Sequence, residues 1–410
     1  MSKQALIAGG GIGGMAAALA CRRAGWEVRL FERAAVFSEV GAGVQLGPNV
    51  TRLLHDWGLQ AALAQAAAFP KRLQVCDAGT GRELGALRLG QHMIDRYGAP
   101  YATVHRADLH GVLYAAVRGE ADVALNLNQS LAHFTQTADT VCVRAAPSPA
   151  ALDAAPPDIE GDVLIGADGL WSPVRQWLLG DGLPRVSGHL AYRALVRQDS
   201  LPAALRSQQV TVWLSPRLHV VQYPVRGGDW LNIVAIAQTR LPGPVQNLTP
   251  DRLDHWDHSG NAAELQALLS NACAALQGVV RAVPQWRLWL LCDRPPMRGP
   301  HQHARGRVAL LGDAAHPMRP YLAQGAGMAI EDAAELGRAL RLATDPTIGV
   351  PAALGHYALN RWQRNARVQA RAERNGRIFH ATGPLRWARN TAMGVLGERL
   401  LDMPWLYGAR

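Results

Sequence analysis

Short apolar runs that end in glycine or an acid recur at three places along the chain. Residues 4–8 (QALIA), 163–165 (VLI) and 308–311 (VALL) are continuous and apolar, the pattern of strands buried on both faces. Each gives way to small residues and then to helical spacing: over 15–23, after Asp168-Gly169, and over 328–340. This alternation predicts an α/β fold with parallel, Rossmann-like strands. A further strand, 27–31, ends in Glu32. The texture changes at 190–237, where AYRALV, QVTVWL, HVVQYPV and WLNIVAI alternate apolar with polar residues. With Arg226-Gly227-Gly228-Asp229 as a hairpin turn, an antiparallel sheet is expected between two α/β halves. Its polar positions Tyr192, Arg193, His219, Gln222 and Tyr223 are candidates to face a pocket. His219 and Tyr223 lie four apart and share one side of a strand.

Other segments are plainer. Small strands are predicted within 123–143 and a strand at 286–291. Helices are predicted at 49–57 with Asn49 as N-cap, at 105–117, around 251–281, and at 354–374, a long arginine-rich stretch. Residues 41–48, with Gly41, Gly43 and Gly47-Pro48, read as an irregular loop, and APSPAALDAAPPDIEG as a surface turn.

With 410 residues, the chain exceeds one ordinary core. Half of it is apolar (49%) and 18% is charged, so it reads as globular. No apolar run approaches the ~20 residues of a membrane span, and the N-terminus has no secretory segment, so a cytoplasmic protein without membrane partners is expected. Five scattered cysteines with no CxxC pair argue for reduced thiols and against a disulfide framework or a metal site. The net charge is +10, and Lys3 and Lys71 are the only lysines. The arginines are spread along the chain without interleaved aromatics, which disfavours nucleic acid and suits small anions such as dinucleotides and carboxylates.

Gly9, Gly11 and Gly14 form G-x-G-x-x-G between strand and helix, and Glu32 stands where an acid reaches the ribose of a bound adenosine. Asp168 and Asp313 each close an apolar run at the carboxyl end, where open α/β sheets bind ligands. Gly325 and Gly327 precede a helix whose first N–H groups are left for an anion or an electron-rich ring. Arg106 is placed to meet a phosphate or a neighbouring carboxylate.

Three stretches in order, GGGIGG with Glu32, LIGADGLWSPVR, and LLGDAAHPMRPYLAQGAGMAIEDA, resemble the single-component FAD-dependent aromatic hydroxylases with the fold of p-hydroxybenzoate hydroxylase. EVGAGVQLGPN, HRADLH and HVVQYPVRGG extend the likeness over nearly the whole chain. It is most similar to the branch containing 3-hydroxybenzoate 6-hydroxylase, salicylate hydroxylase and 6-hydroxynicotinate 3-monooxygenase. The loop MRPYLAQGA resembles the hydroxynicotinate enzymes, Gln45, where those enzymes have histidine, counts against their substrate, and HVVQYPVRGG resembles 3-hydroxybenzoate 6-hydroxylase, which leaves the substrate open. The resemblance implies an interleaved organisation: FAD-binding parts at 1–70, 105–180 and 293–345, a substrate domain from 71–104 and 181–292, and C-terminal helices at 346–410.

It also implies roles. Gly9, Gly11, Gly14 and Arg106 would take the FAD pyrophosphate, and Glu32 with Arg33 the adenosine ribose. Asp313 would hold the ribityl chain, while Val44, Gly325, Ala326 and Gly327 would meet the flavin ring. Asp168, helped by Arg175, would support both FAD and NADH or NADPH. Reduced flavin and O₂ would form a C4a-hydroperoxide, kept from water by Pro320, Tyr321 and Leu322 with Val212, Leu214 and Val221. His219 would take the phenol proton with an ordinary pKa near ~6.5. Tyr223 would orient the substrate, Arg193 would pair with its carboxylate, and Gln45, Pro320 and Tyr321 would touch it. A homodimer is compatible with the arginine-rich helix. A 6-hydroxynicotinate-type 3-monooxygenase, a flavin oxidase or dehydrogenase, and an FAD-binding redox sensor on the same scaffold are the alternatives.

Overall fold

A computed structural model describes residues 3–37, 42–146, 158–238, 258–260, 262–345 and 347–409. Its first sheet has six strands in the order Ala304–Arg305, Val308–Leu310, Val163–Gly166, Gln4–Ala8, Glu27–Phe31 and Val123–Asn126. All neighbours run parallel except the Ala304–Arg305 edge. The apolar runs at 4–8, 163–165 and 308–311 are therefore the central strands, in register from Leu30 through Ile7 and Ile165 to Ala309. The helices Ile12–Arg23 and Gly325–Leu342 cover one face, burying Ala17, Leu19, Ala333 and Leu336 with Ile165. Both start three residues earlier than the apolar spacing suggests. Gly13, Gly14 and Gly327 therefore lie inside the helices, where small size permits close packing.

The second sheet has eight strands in the order His258–Gly260, Trp286–Asp293, Arg185–Arg197, Trp230–Gln238, Leu218–Val225, Val210–Ser215, Arg72–Asp77 and Glu83–Arg88. It is antiparallel except where Val210–Ser215 runs parallel to Arg72–Asp77. The hairpin turn at 226–229 forms as expected, with Arg226, Gly227 and Gly228 all at positive φ. Its Arg226 guanidinium donates to Asp108 on the Arg106–Arg118 helix at 2.8 and 3.0 Å, clamping sheet to helix.

Several expectations change. Gly43–Leu46 is a strand paired with Ala102–His105, not an irregular loop; Gly41 lies outside the described residues. Asn49 does not cap its helix, which runs Pro48–Asp56 with Gly47 as N-cap. The Asn49 side chain donates instead to Glu331 Oε1 at 2.7 Å. Within 251–281 the described helices are Ala262–Leu268 and Ala274–Ala282, and residues 251–257 lie outside the description. The described end of the proline-rich turn, Asp158–Gly161, is a strand. The arginine-rich helix runs from Val350 to Phe379, longer at both ends, and Tyr357 Oη ties it to the Leu310 carbonyl at 2.8 Å.

Candidate active site

Strand order brings the distant motifs together. The adjacent strands Val308–Leu310, Val163–Gly166, Gln4–Ala8 and Glu27–Phe31 deliver Asp313, Asp168, Gly9 and Glu32 side by side at their carboxyl ends. All four line one cavity of about 990 Å³. Two helices open toward it. Ile12–Arg23 follows Gly11 and Gly325–Leu342 follows Gln324; neither has a side-chain cap or an acid in its first turn. A methyl group on Gly11 or Gly325 would meet no atom within 4 Å, so the backbone there borders open space. Two uncapped N-termini leave N–H groups and positive dipole ends for an anion or for ring carbonyls.

The acids differ in use. Glu32 accepts from Gly10 N at 2.7 Å and from Ala34 N at 2.8 Å, so its carboxylate is oriented yet keeps lone pairs for sugar hydroxyls. Asp313 is exposed to the cavity and bonds no other described side chain. Its loop is fixed from behind. Gly312, at φ +58°, donates to Asp332 Oδ2 at 3.0 Å, and Asp332 pairs with Arg361 at 2.7 Å and with the His316 ring. Burial alone would raise the Asp332 pKa, but His316 and Arg361 hold it far below the carboxylate range.

Asp168 lines the cavity but spends its oxygens on its own helix, accepting from the Ser172 hydroxyl and from Val174 N at 3.1 Å. Burial pushes its carboxyl up to about 6, against those hydrogen bonds. Arg175 is turned away from the cavity: it donates to the carbonyls of Ala314 and Ala315 and pairs with Asp181, bracing the Asp313 loop. Gly14 and Gly327 are not on the cavity wall. A methyl at Gly14 would lie 1.9 Å from the Gly9 carbonyl oxygen, and one at Gly327 would lie 2.8 Å from Val50 Cγ2, so both are contacts between elements. Arg33 and Arg106 line the main cavity and a smaller recess beside Glu32, Phe37, His110 and Trp289.

The opposite wall is the second sheet. His219, Val221 and Tyr223 alternate inward along Leu218–Val225, with Val234 and Ile236 beside them. Tyr192 and Gln222, of opposite parity, point away, which corrects their candidacy. Arg193 reaches the cavity with its guanidinium stacked 3.7 Å from the Trp289 ring centre. Gln45 and Val44 enter from the Gly43–Leu46 strand, and Gln45 accepts from Tyr101 Oη at 2.6 Å. Glycine at 43 is explained by Tyr223, whose Cε2 would stand 2.5 Å from a methyl there.

The dry wall needs amending. Val221 and Pro320 line the cavity, while Val212 and Leu214 pack over Val75, Leu84 and Met393, one strand farther out. Leu322 joins another cluster with Met328 and Tyr407. Tyr321 lies behind the lining, its ring 5.2 Å from that of His219. His219 departs most from expectation. It is 1% exposed, and burial, with His380 and His189 nearby, lowers its pKa well below 6.5, so it is neutral at physiological pH. Its Nδ1 meets His380 Nε2 at 2.8 Å across 161 residues of sequence. Neither that pairing nor the Asp332 support had any local signal in the chain.

Fold, cavity and likeness to known proteins together define a flavoprotein monooxygenase. The chain matches the FAD binding domain family over residues 2–372 and belongs to it; it is an FAD-dependent aromatic hydroxylase. It is 36% identical over 406 residues to 3-hydroxybenzoate 6-hydroxylase of Polaromonas naphthalenivorans (98% of this chain, 95% of that protein). It is 34% identical over 367 residues to 6-hydroxynicotinate 3-monooxygenase of Bordetella bronchiseptica (88% of each). Among solved structures, Klebsiella pneumoniae HpxO complexed with FAD and uric acid superposes with a TM-score of 0.81 at 25% identity, covering 97% of this chain and 94% of that one.

Proposed function

We propose that the enzyme uses NADH or NADPH and O₂ to hydroxylate a small phenolic or hydroxy-heteroaromatic carboxylic acid of the 3-hydroxybenzoate or salicylate type. One observation carries the reading: a single cavity runs from a dinucleotide cradle to a sheet wall bearing an arginine, a histidine and a tyrosine. The names of the relatives agree in kind, since both act on hydroxylated aromatic acids.

The cradle fits FAD. The N–H groups following Gly11 suit the pyrophosphate, with Arg106 near, and Glu32 and Arg33 suit the adenosine ribose. Asp313, exposed and unengaged, suits the ribityl hydroxyls, and the open backbone at Gly325 and Ala326, facing Val44, suits the flavin ring. We assign the FAD-binding parts to 1–70, 105–180 and 293–345, with 71–104 and 181–292 forming the substrate domain, of which 181–292 supplies the cavity wall. Bound FAD, once reduced by the nicotinamide, supplies an activated oxygen atom for transfer to the ring.

The remaining work falls to side chains. Arg193, held flat against Trp289, pairs with the substrate carboxylate, for which its planar fork is matched. Tyr223 and Gln45 fix the ring's orientation, and Val221, Val234, Ile236 and Pro320 exclude water. His219 accepts the hydroxyl proton at Nε2, because Nδ1 is already engaged by His380. Losing that proton makes the ring a stronger nucleophile toward oxygen.

The test is NADH and NADPH consumption by the flavin-loaded protein against a panel of aromatic acids, with products identified by mass. Stimulated consumption and a product heavier by one oxygen are expected. Turnover without nicotinamide would identify an oxidase, and indifference to every acid a binding or sensing protein.

A further inference from the structure

We propose that His380, at the C-cap of the Val350–Phe379 helix, is a positioning residue: it accepts a hydrogen bond from His219 Nδ1–H and so keeps His219 Nε2 bare toward the cavity. The inference rests on the reading of His219 as proton acceptor and names what makes that role available.

The argument is one of tautomers. Two neutral imidazoles sharing one hydrogen bond need one donor and one acceptor. Nδ1 of His219 and Nε2 of His380 stand 2.8 Å apart. The backbone of Ile236, the cross-strand partner of His219, lies close enough to the His380 ring to favour a proton on it, and no other described group meets His380 Nδ1. A carbonyl can only accept, so it favours hydrogen on the His380 nitrogen that His219 does not use. His380 Nε2 is then the acceptor, His219 carries its hydrogen on Nδ1, and its other nitrogen is unprotonated where the ring borders the cavity. The reverse arrangement would present an N–H to the substrate and could not take a proton.

While His380 stays neutral, the same contact offsets part of the cost of the transfer. The substrate O–H bond breaks, an Nε2–H bond forms, and the pair gains one positive charge in a dry site where imidazolium is disfavoured. The His380 lone pair holds the Nδ1–H end of that cation. Neighbouring groups limit the pair to a single added proton. His189 is 5.3 Å from His380 between ring centroids, and Arg319 and Arg389 add positive charge, opposed by Asp293, which pairs with Arg319 at 2.6 Å. Tyr321 and Phe379 pack on the His219 ring and prevent it from turning over. His380 itself is anchored: its carbonyl accepts from Arg217 N at 3.2 Å and its N–H donates to Gly376 at 3.2 Å.

The experiment reads nitrogen-15 shifts of histidine-labelled holoenzyme, with His219 signals identified by their loss in His219→Asn. Wild type should show His219 protonated at Nδ1 and bare at Nε2. In His380→Leu the hydrogen should move to Nε2, and product formed per NADH should fall by about tenfold or more while flavin reduction keeps its rate. His380→Gln, whose amide oxygen accepts the same hydrogen bond, should restore the wild-type tautomer and coupling to within about threefold. A wild-type His219 protonated at Nε2 would overturn the proposal. So would equal damage from Leu and Gln, which would mark packing as the cause. If wild type hydroxylates no aromatic acid, the functional reading falls, while the tautomer measurement still decides the pairing.

Discussion

At the scale of single residues, the proposed site divides into groups assigned to ligands and groups that hold them. Asp313 belongs to the first kind: an exposed carboxylate on a loop tied down by Asp332 and Arg175. Charge-assisted hydrogen bonds contribute roughly 1.5–3 kcal/mol, so Asp313→Ala should bind FAD about tenfold to a hundredfold more weakly. Flavin fluorescence titration measures this, and a mutant that stays fully yellow through gel filtration would remove Asp313 from the role. His219→Asn should still accept electrons from the nicotinamide but lose about a hundredfold in product, releasing hydrogen peroxide instead. Coupling equal to wild type would end the assignment of His219. The neutral state of this histidine also matters, since it can accept a proton without first having to lose one.

At the scale of elements, helix and strand meet through glycine. Gly14→Ala would place a methyl 1.9 Å from the Gly9 carbonyl, so the helix must shift from the strand end. Overpacking of this kind costs about 1–3 kcal/mol. We expect a lowered melting temperature together with weaker FAD binding, though residue 14 never touches the cavity; a melting temperature equal to wild type would contradict the packing role. This scale also shows what the chain made readable. The buried strands and their closing Gly9, Asp168 and Asp313 were readable because each is a local pattern with a fixed period. Alternation likewise marked Arg193, His219 and Tyr223, and it misplaced Tyr192 and Gln222, because a period of two gives parity but not which face is the pocket. Asn49 was misread for a related reason: a residue type suited to capping found a better acceptor in Glu331, 282 positions away. His380 and Asp332 were unreadable, since nothing near them in sequence reveals the partner that gives them purpose.

At the scale of the whole molecule, the buried histidines set the response to acid. Burial, the first cause for each, takes His189 down to about 4 and both His303 and His380 down to about 3. In the unfolded chain each titrates near ~6.5. Between that value and about 4 the unfolded state binds protons that the fold refuses, so stability falls as pH falls, by up to about 1.4 kcal/mol per pH unit for each histidine. Asp168, raised to about 6, acts oppositely and loses stability as pH climbs toward that value. The histidines outnumber it, so the melting temperature should drop steadily from pH 7 to pH 5. Replacing His189 with phenylalanine should flatten the slope, and an unchanged slope would show that its ring is not kept neutral.

The order of strands in the first sheet has a temporal consequence. Neighbours at its centre come from positions 4–8, 163–166 and 308–310, so the floor of the cavity is finished only when three-quarters of the polypeptide has been made. A nascent chain still short of Asp313 can display its glycine signature but owns no place for the prosthetic group to land. With Asp313 and Gly325 assigned to FAD, cofactor capture should be a late event, and amino-terminal fragments should emerge colourless however well they fold.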